Sequence, residues 1–96
     1  MLKIYIAEAL GSFIFFSIVL TYKNPIYIAI GLLIGILIAS IASQASQPHL
    51  NPAVTTMVYL NGNISGEISI GFIGAQLFGA FAAVQFIKYM DHKDNV

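Results

Sequence analysis

Three observations predict an all-α membrane protein with three transmembrane helices and one re-entrant half-helix. The 96-residue chain is 58% hydrophobic and only 8% charged, with a mean hydropathy of +0.86, and such a surface needs lipid rather than water. It holds three apolar runs long enough to cross a bilayer. It also holds one helix-forming segment about half that length, placed between the second and third runs.

The first run, Ile4 to Tyr22, has Glu8 as its only charge and lies between Lys3 and Lys23; about 20 apolar residues cross the hydrocarbon core. A secretory leader is disfavoured, because Glu8 interrupts the would-be apolar region and no small-x-small cleavage site follows. Lys23-Asn24-Pro25 reads as a tight turn, with Pro25 able to open the next helix. Ile26 to Ala42 then forms the second run, interrupted only by Ser40, and Ile68 to Ile87 forms the third, with Gln76 and Gln85 as its strongest polar interruptions. Residues 89–96 read as a solvated C-terminal tail.

Between the second and third runs, Ser43 to Pro48 is a polar, irregular connector. Asn51 is a favoured N-cap, and Pro52 suits the first helical position because its missing N–H would be unpaired there anyway. A helix follows to Leu60, and Asn61-Gly62-Asn63 ends it. At 1.5 Å per residue it is roughly 13 Å long, about half of a hydrocarbon core of about 30 Å.

If the connector re-enters the membrane, its irregular backbone must be surrounded by protein or line a watery cavity. The Asn51 side-chain oxygen can cap the first helical turn while its two amide hydrogens point into that cavity as donors. The helix N-terminus adds positive potential, which opposes cations and favours neutral solutes. Passive conduction is the function these features imply.

Zero formal net charge and the absence of Arg disfavour nucleic acid as a partner, and the absence of Cys removes thiolate chemistry. No cofactor or metal is expected: His49 and His92 are far apart in the chain, and a site needing both is not supported. A membrane enzyme is equally disfavoured, since Glu8 is the only acid within the runs.

Small residues recur at every fourth position as Gly31, Gly35, Ala39 and Ser43, and as Gly71, Ala75, Gly79 and Ala83. Such stripes let helix backbones approach closely in lipid, which favours a packed bundle over three independent anchors. The tyrosines near the run ends, Tyr5, Tyr22, Tyr27, Tyr59 and Tyr89, suit a membrane-interface belt.

Ala7-Glu8-Ala9-Leu10-Gly11-Ser12-Phe13, His49-Leu50-Asn51-Pro52-Ala53-Val54-Thr55 and Gly74-Ala75-Gln76-Leu77-Phe78-Gly79-Ala80 occur in that order. Together they resemble the first-helix, Asn-Pro-Ala-loop and third-helix signatures of the aquaporin and aquaglyceroporin (major intrinsic protein) family. Its members carry two inverted repeats, and residues 1–88 resemble one of them. The resemblance implies that Glu8 and Gln76 brace the half-helix loop. It also implies that His49 (through its carbonyl), Leu50, Asn51, Pro52, Ala53 and Val54 line the pore. The filter position of the second span falls at Ile30 or Gly31. The family's second repeat has Arg directly after Asn-Pro-Ala, where this chain has Val54.

One such repeat cannot enclose a lumen, because the loop would present unpaired carbonyls to lipid. The expectation is an inverted homodimer in the bilayer, with four dimers by analogy with the family's tetramers, conducting water and small neutral solutes such as glycerol. Lys3 faces Lys23, Lys88 and Lys93 across the membrane, a small orientation bias. The alternative is a non-conducting fragment or accessory subunit that packs against a full-length channel.

Overall fold

The structure, a computed structural model, describes residues 2–44 and 47–94. Four helices run in the order α1 (Leu2–Thr21), α2 (Pro25–Ser43), α3 (Pro52–Leu60) and α4 (Gly66–Asp94), and no strand occurs among the described residues. α1, α2 and α4 are each long and apolar enough to cross a membrane.

Helix starts follow local chemistry. The Asn24 side chain accepts from the Ile26 N–H at 3.0 Å, with Pro25 at the first helical position. Asn51 repeats the arrangement, accepting from the Ala53 N–H at 2.8 Å ahead of Pro52. Ser65 does the same for α4, its Oγ accepting from the Ile68 N–H at 3.2 Å. At the end of α3, Gly62 takes φ +80°. Its N–H donates to the Tyr59 carbonyl and the Asn63 N–H to the Val58 carbonyl, a Schellman ending that satisfies two otherwise orphaned carbonyls.

Two helix ends differ from the sequence expectation. α2 continues through Ser43, one residue into the expected connector, and stops where Gln44 adopts φ 63°; Ala45 and Ser46 lie outside the described residues. α4 runs on to Asp94 instead of ending near Ile87. Hydropathy falls after Ile87, but Lys88 to Lys93 contains no Gly or Pro, so nothing breaks the backbone hydrogen bonding. Tyr89 to His92 are exposed. At 29 residues, α4 is roughly 43 Å long, so it extends beyond a hydrocarbon core of about 30 Å.

α1 is the central helix. It packs along α2 on one side and α4 on the other; α2 and α4 do not touch, and α3 leans on α4. Small residues permit both contacts. A Cβ on Gly11 would lie 2.8 Å from the Gly35 carbonyl oxygen, and one on Gly79 2.7 Å from that of Ala9. Gly31, Gly35, Ala39 and Ser43 are all buried, so the entire small-residue stripe of α2 faces α1.

On α4 the buried stripe is Ser69, Phe72, Gln76, Gly79 and Ala83, while Gly71 and Ala75 are only half-buried. The α4 face is turned toward Gln76 because α4 must meet both α1 and α3, and the ring of Tyr5 lies over Gly71. Tyr5 is thus a packing residue, meeting Phe72 edge-on with centroids 6.0 Å apart. Large apolar side chains elsewhere, including Ile41, Ile70 and Phe81, are exposed, as suits a surface met by lipid or by another membrane segment.

Candidate pore-loop site

Glu8 lies six residues into α1, about 9 Å along its axis, and is 1% exposed. A carboxylate so deeply buried requires hydrogen-bond donors. Its Oε1 accepts from the His49 N–H at 3.0 Å, its Oε2 accepts from the same N–H at 3.1 Å, and its Oε1 also accepts from the Leu50 N–H. Gln76, from α4, donates to the Glu8 Oε1 at 3.0 Å and to Thr55 Oγ1 at 2.9 Å. One carboxylate thereby gathers the connector between α1 and α4 and draws the start of α3 into the bundle.

Leu50 makes this turn possible. Its φ of 60° is in the left-handed region, which costs an L-residue roughly 1 kcal/mol or more. Its side chain is fully buried with Ala7 and Ala39, with Phe15, Ile36 and Ala42 packed against that cluster. Burying a leucine side chain contributes about 2 kcal/mol, enough to offset the strain. Expected in the pore lining, Leu50 has a side chain that instead anchors the loop in the core, because a left-handed residue turns it inward between α1 and α2.

Thr55, the last residue of the loop motif and given no role from sequence, is fully buried at the centre of the network. Its Oγ1 lies 2.8 Å from His49 Nδ1 and accepts from Gln76. Its position one turn after the N-cap was the available signal, since a hydroxyl there can reach back to the residues preceding Asn51. His49 as a whole is 8% exposed, and its ring also meets Phe72 edge-on with centroids 4.5 Å apart.

The remaining sequence-selected residues separate by exposure. Asn51, Pro52 and Ala53 are exposed and Val54 is half-buried. The Asn51 oxygen is occupied by the Ala53 N–H, which leaves the two amide hydrogens as outward donors. Ile30 is exposed, whereas Gly31 is buried against α1, with Ile18 in the space a side chain would fill. The α1 contact thus takes Gly31 out of the open face and leaves Ile30 on it. Gly35, Gly71 and Gly79 all lie against neighbouring helices. No cluster of metal-ligating side chains occurs among the described residues.

A cavity of about 270 Å³ opens beside α3, lined by His49 and Gln47 near the start of the helix and by Val58 and Asn63 near its end.

The chain matches the profile of the major intrinsic protein family over residues 1–96. It is 37% identical over 91 residues to glycerol uptake facilitator protein-like 6 of Lactiplantibacillus plantarum, covering 88% of this chain and 42% of that protein. It is 34% identical over 98 residues to Aquaporin-5 of Mus musculus, covering 92% of this chain and 37% of that one. The chain therefore spans about two-fifths of the length of these relatives. No solved structure gives a significant match. With three helices of spanning length and a family match along its whole length, the chain is an integral membrane protein of the major intrinsic protein family, whose members are channels and not enzymes.

Proposed function

We propose that this repeat conducts water and small neutral solutes such as glycerol, using a pore completed by a second copy inserted in the opposite orientation. The observation that carries this reading is the state of Asn51. Its side-chain oxygen Oδ1 accepts from the Ala53 N–H while the side chain stays exposed, so both amide hydrogens are offered to a passing hydroxyl oxygen. In the paired arrangement two such amides meet head to head near the bilayer centre, and the two helix N-termini raise the potential there against cations.

The open side of the repeat supports the need for a complement. α2 and α4 do not touch, so the exposed loop residues have no cover from this repeat. Glu8 and Gln76 serve as the braces of the loop, and Gly35, Gly71 and Gly79 as packing positions. Pro52, Ala53, Val54 and Ile30 line the passage, together with the carbonyl of His49. With Val54 where the family's second repeat has Arg, the constriction is wider and its barrier to cations and protons weaker.

Stopped-flow light scattering of proteoliposomes holding this chain alone tests the reading. Osmotic shrinkage faster than that of empty vesicles supports the self-paired pore. Shrinkage at the empty-vesicle rate overturns it in favour of an accessory half-channel that packs with a full-length relative.

A further inference from the structure

We infer that Asn63, just past the C-terminal end of α3, is a docking station at which a small neutral polyol exchanges water for amide hydrogen bonds before it meets Asn51. The inference rests on the channel reading above and adds a residue that discriminates among neutral solutes. It starts from a likeness between the two ends of α3. At the start of the helix, Asn51 Oδ1 is occupied by the Ala53 N–H. Past its end, Asn63 Oδ1 is occupied by Asn61 Nδ2 at 2.7 Å. Both side chains are exposed, and neither NH2 group has a partner among the described residues.

The turn holds Asn63 without calling on its amide hydrogens. The Asn63 N–H donates to the Val58 carbonyl at 3.1 Å, and Gly62 supplies the φ of +80°. The fold therefore asks only an acceptor of this side chain, which a carboxylate would supply equally well. Two amide hydrogens are left over, as at Asn51.

Two cavities adjoin at this residue. Asn63 lines the cavity of about 270 Å³ that also reaches His49 and Gln47, and it lines a larger one, of about 620 Å³, with Met57, Val58, Leu60 and Asn61. Asn63 and Val58 are the residues common to both. In the larger cavity Asn61 and Asn63 are the only polar lining residues, so a solute that gives up water there has few groups with which to replace the lost bonds. Asn61 has one amide hydrogen committed to Asn63 and one to spare, which makes three donors with the pair on Asn63. A polyol offers several oxygens to such a cluster, whereas a water molecule offers one. No charged side chain lines either cavity, so the ligand class is a neutral compound with adjacent hydroxyls.

Binding and flux are tested separately. In ¹⁵N-labelled chain reconstituted in liposomes, the Asn63 side-chain amide signal, assigned by its loss in Asn63→Leu, should shift with added glycerol and saturate. Asn24 is the control: its Oδ1 is likewise occupied, by the Ile26 N–H, and it lines neither cavity. Equal, unsaturating shifts at the two amides overturn the inference. In proteoliposomes, the glycerol concentration giving half-maximal flux should rise about fivefold in Asn63→Leu, the equivalent of a net hydrogen bond of about 1 kcal/mol, with water flux close to that of the wild type. Asn63→Gln, which keeps the amide, should stay near the wild type in both. An unchanged half-maximal concentration in Asn63→Leu overturns the inference and leaves the channel standing. An equal loss of water and glycerol flux with a lowered unfolding midpoint gives Asn63 a folding role alone and overturns it too. A wild type that conducts nothing overturns the channel reading instead, while the amide shifts still decide whether Asn63 binds the polyol.

Discussion

Gly11 and Gly35 face each other across the α1–α2 contact so closely that a Cβ on either would lie 2.8 Å from the other's carbonyl oxygen. The approach is reciprocal and backbone to backbone, so no flexible side chain can move aside. Contacts of this kind hold helices together in lipid, where burying apolar surface against a neighbour gains little over burying it in acyl chains.

Gly35→Val should separate α1 from α2 and expose the seat of Leu50, which also lies about 3.0 Å from a Cβ at this position. Overpacking a well-fitted contact costs about 1–3 kcal/mol. Thermal unfolding in detergent micelles should show a lower midpoint for Gly35→Val than for Gly74→Val, because a Cβ at Gly74 meets nothing within 4 Å.

Glu8→Gln preserves shape but turns an NH2 toward N–H groups that need acceptors. The His49 and Leu50 N–H groups and the Gln76 amide all converge on this side chain, so the variant leaves at least one buried donor unpaired. A loss of about 3 kcal/mol is expected, within the range for hydrogen bonds to a charged group. Amide hydrogen exchange at His49 and Leu50 should accelerate; unchanged protection there would contradict the bracing role.

Asn51→Asp keeps the N-cap, since Asp caps as well as Asn. It exchanges two outward donors for negative charge. Liposome flux of water and glycerol should fall severalfold while cation leakage rises, with the circular-dichroism helix content unchanged.

Gly62→Ala tests a purely conformational requirement. A Cβ there meets nothing within 4 Å, yet φ is +80°. Forcing an L-residue into that region costs about 1 kcal/mol, and the same measurement of unfolding midpoint should register it. A substitution without effect would show that the end of α3 relaxes to another turn.

Much of the architecture was readable from short-range chemistry. Asn24-Pro25 and Asn51-Pro52 mark helix starts because the capping bond spans only two residues. The small residues of α2, at every fourth position, mark the face that α1 covers because the helical period alone puts them in one line. The end of α4 was less legible, since hydropathy reports where lipid ends and backbone hydrogen bonding continues past that point to Asp94.

The site depends on a different scale of contact. A carboxyl in the first apolar run announces that partners must exist, but composition and periodicity do not name them. The bonds that serve it join residues 41, 42 and 68 positions apart, and the side chain of Thr55 becomes central only when α3 lies against α4. The sequence by itself determined three spanning helices, a half-length helix and the starts of α2 and α3, because those follow from neighbours along the chain. Tertiary structure alone decided that Leu50 points into the core, that Gly31 leaves the open face to Ile30, and that His49 shares a hydrogen-bond network with Thr55 and Gln76. Those outcomes follow from which helix faces meet, and in lipid that is settled by close backbone approach and buried hydrogen bonds between distant residues.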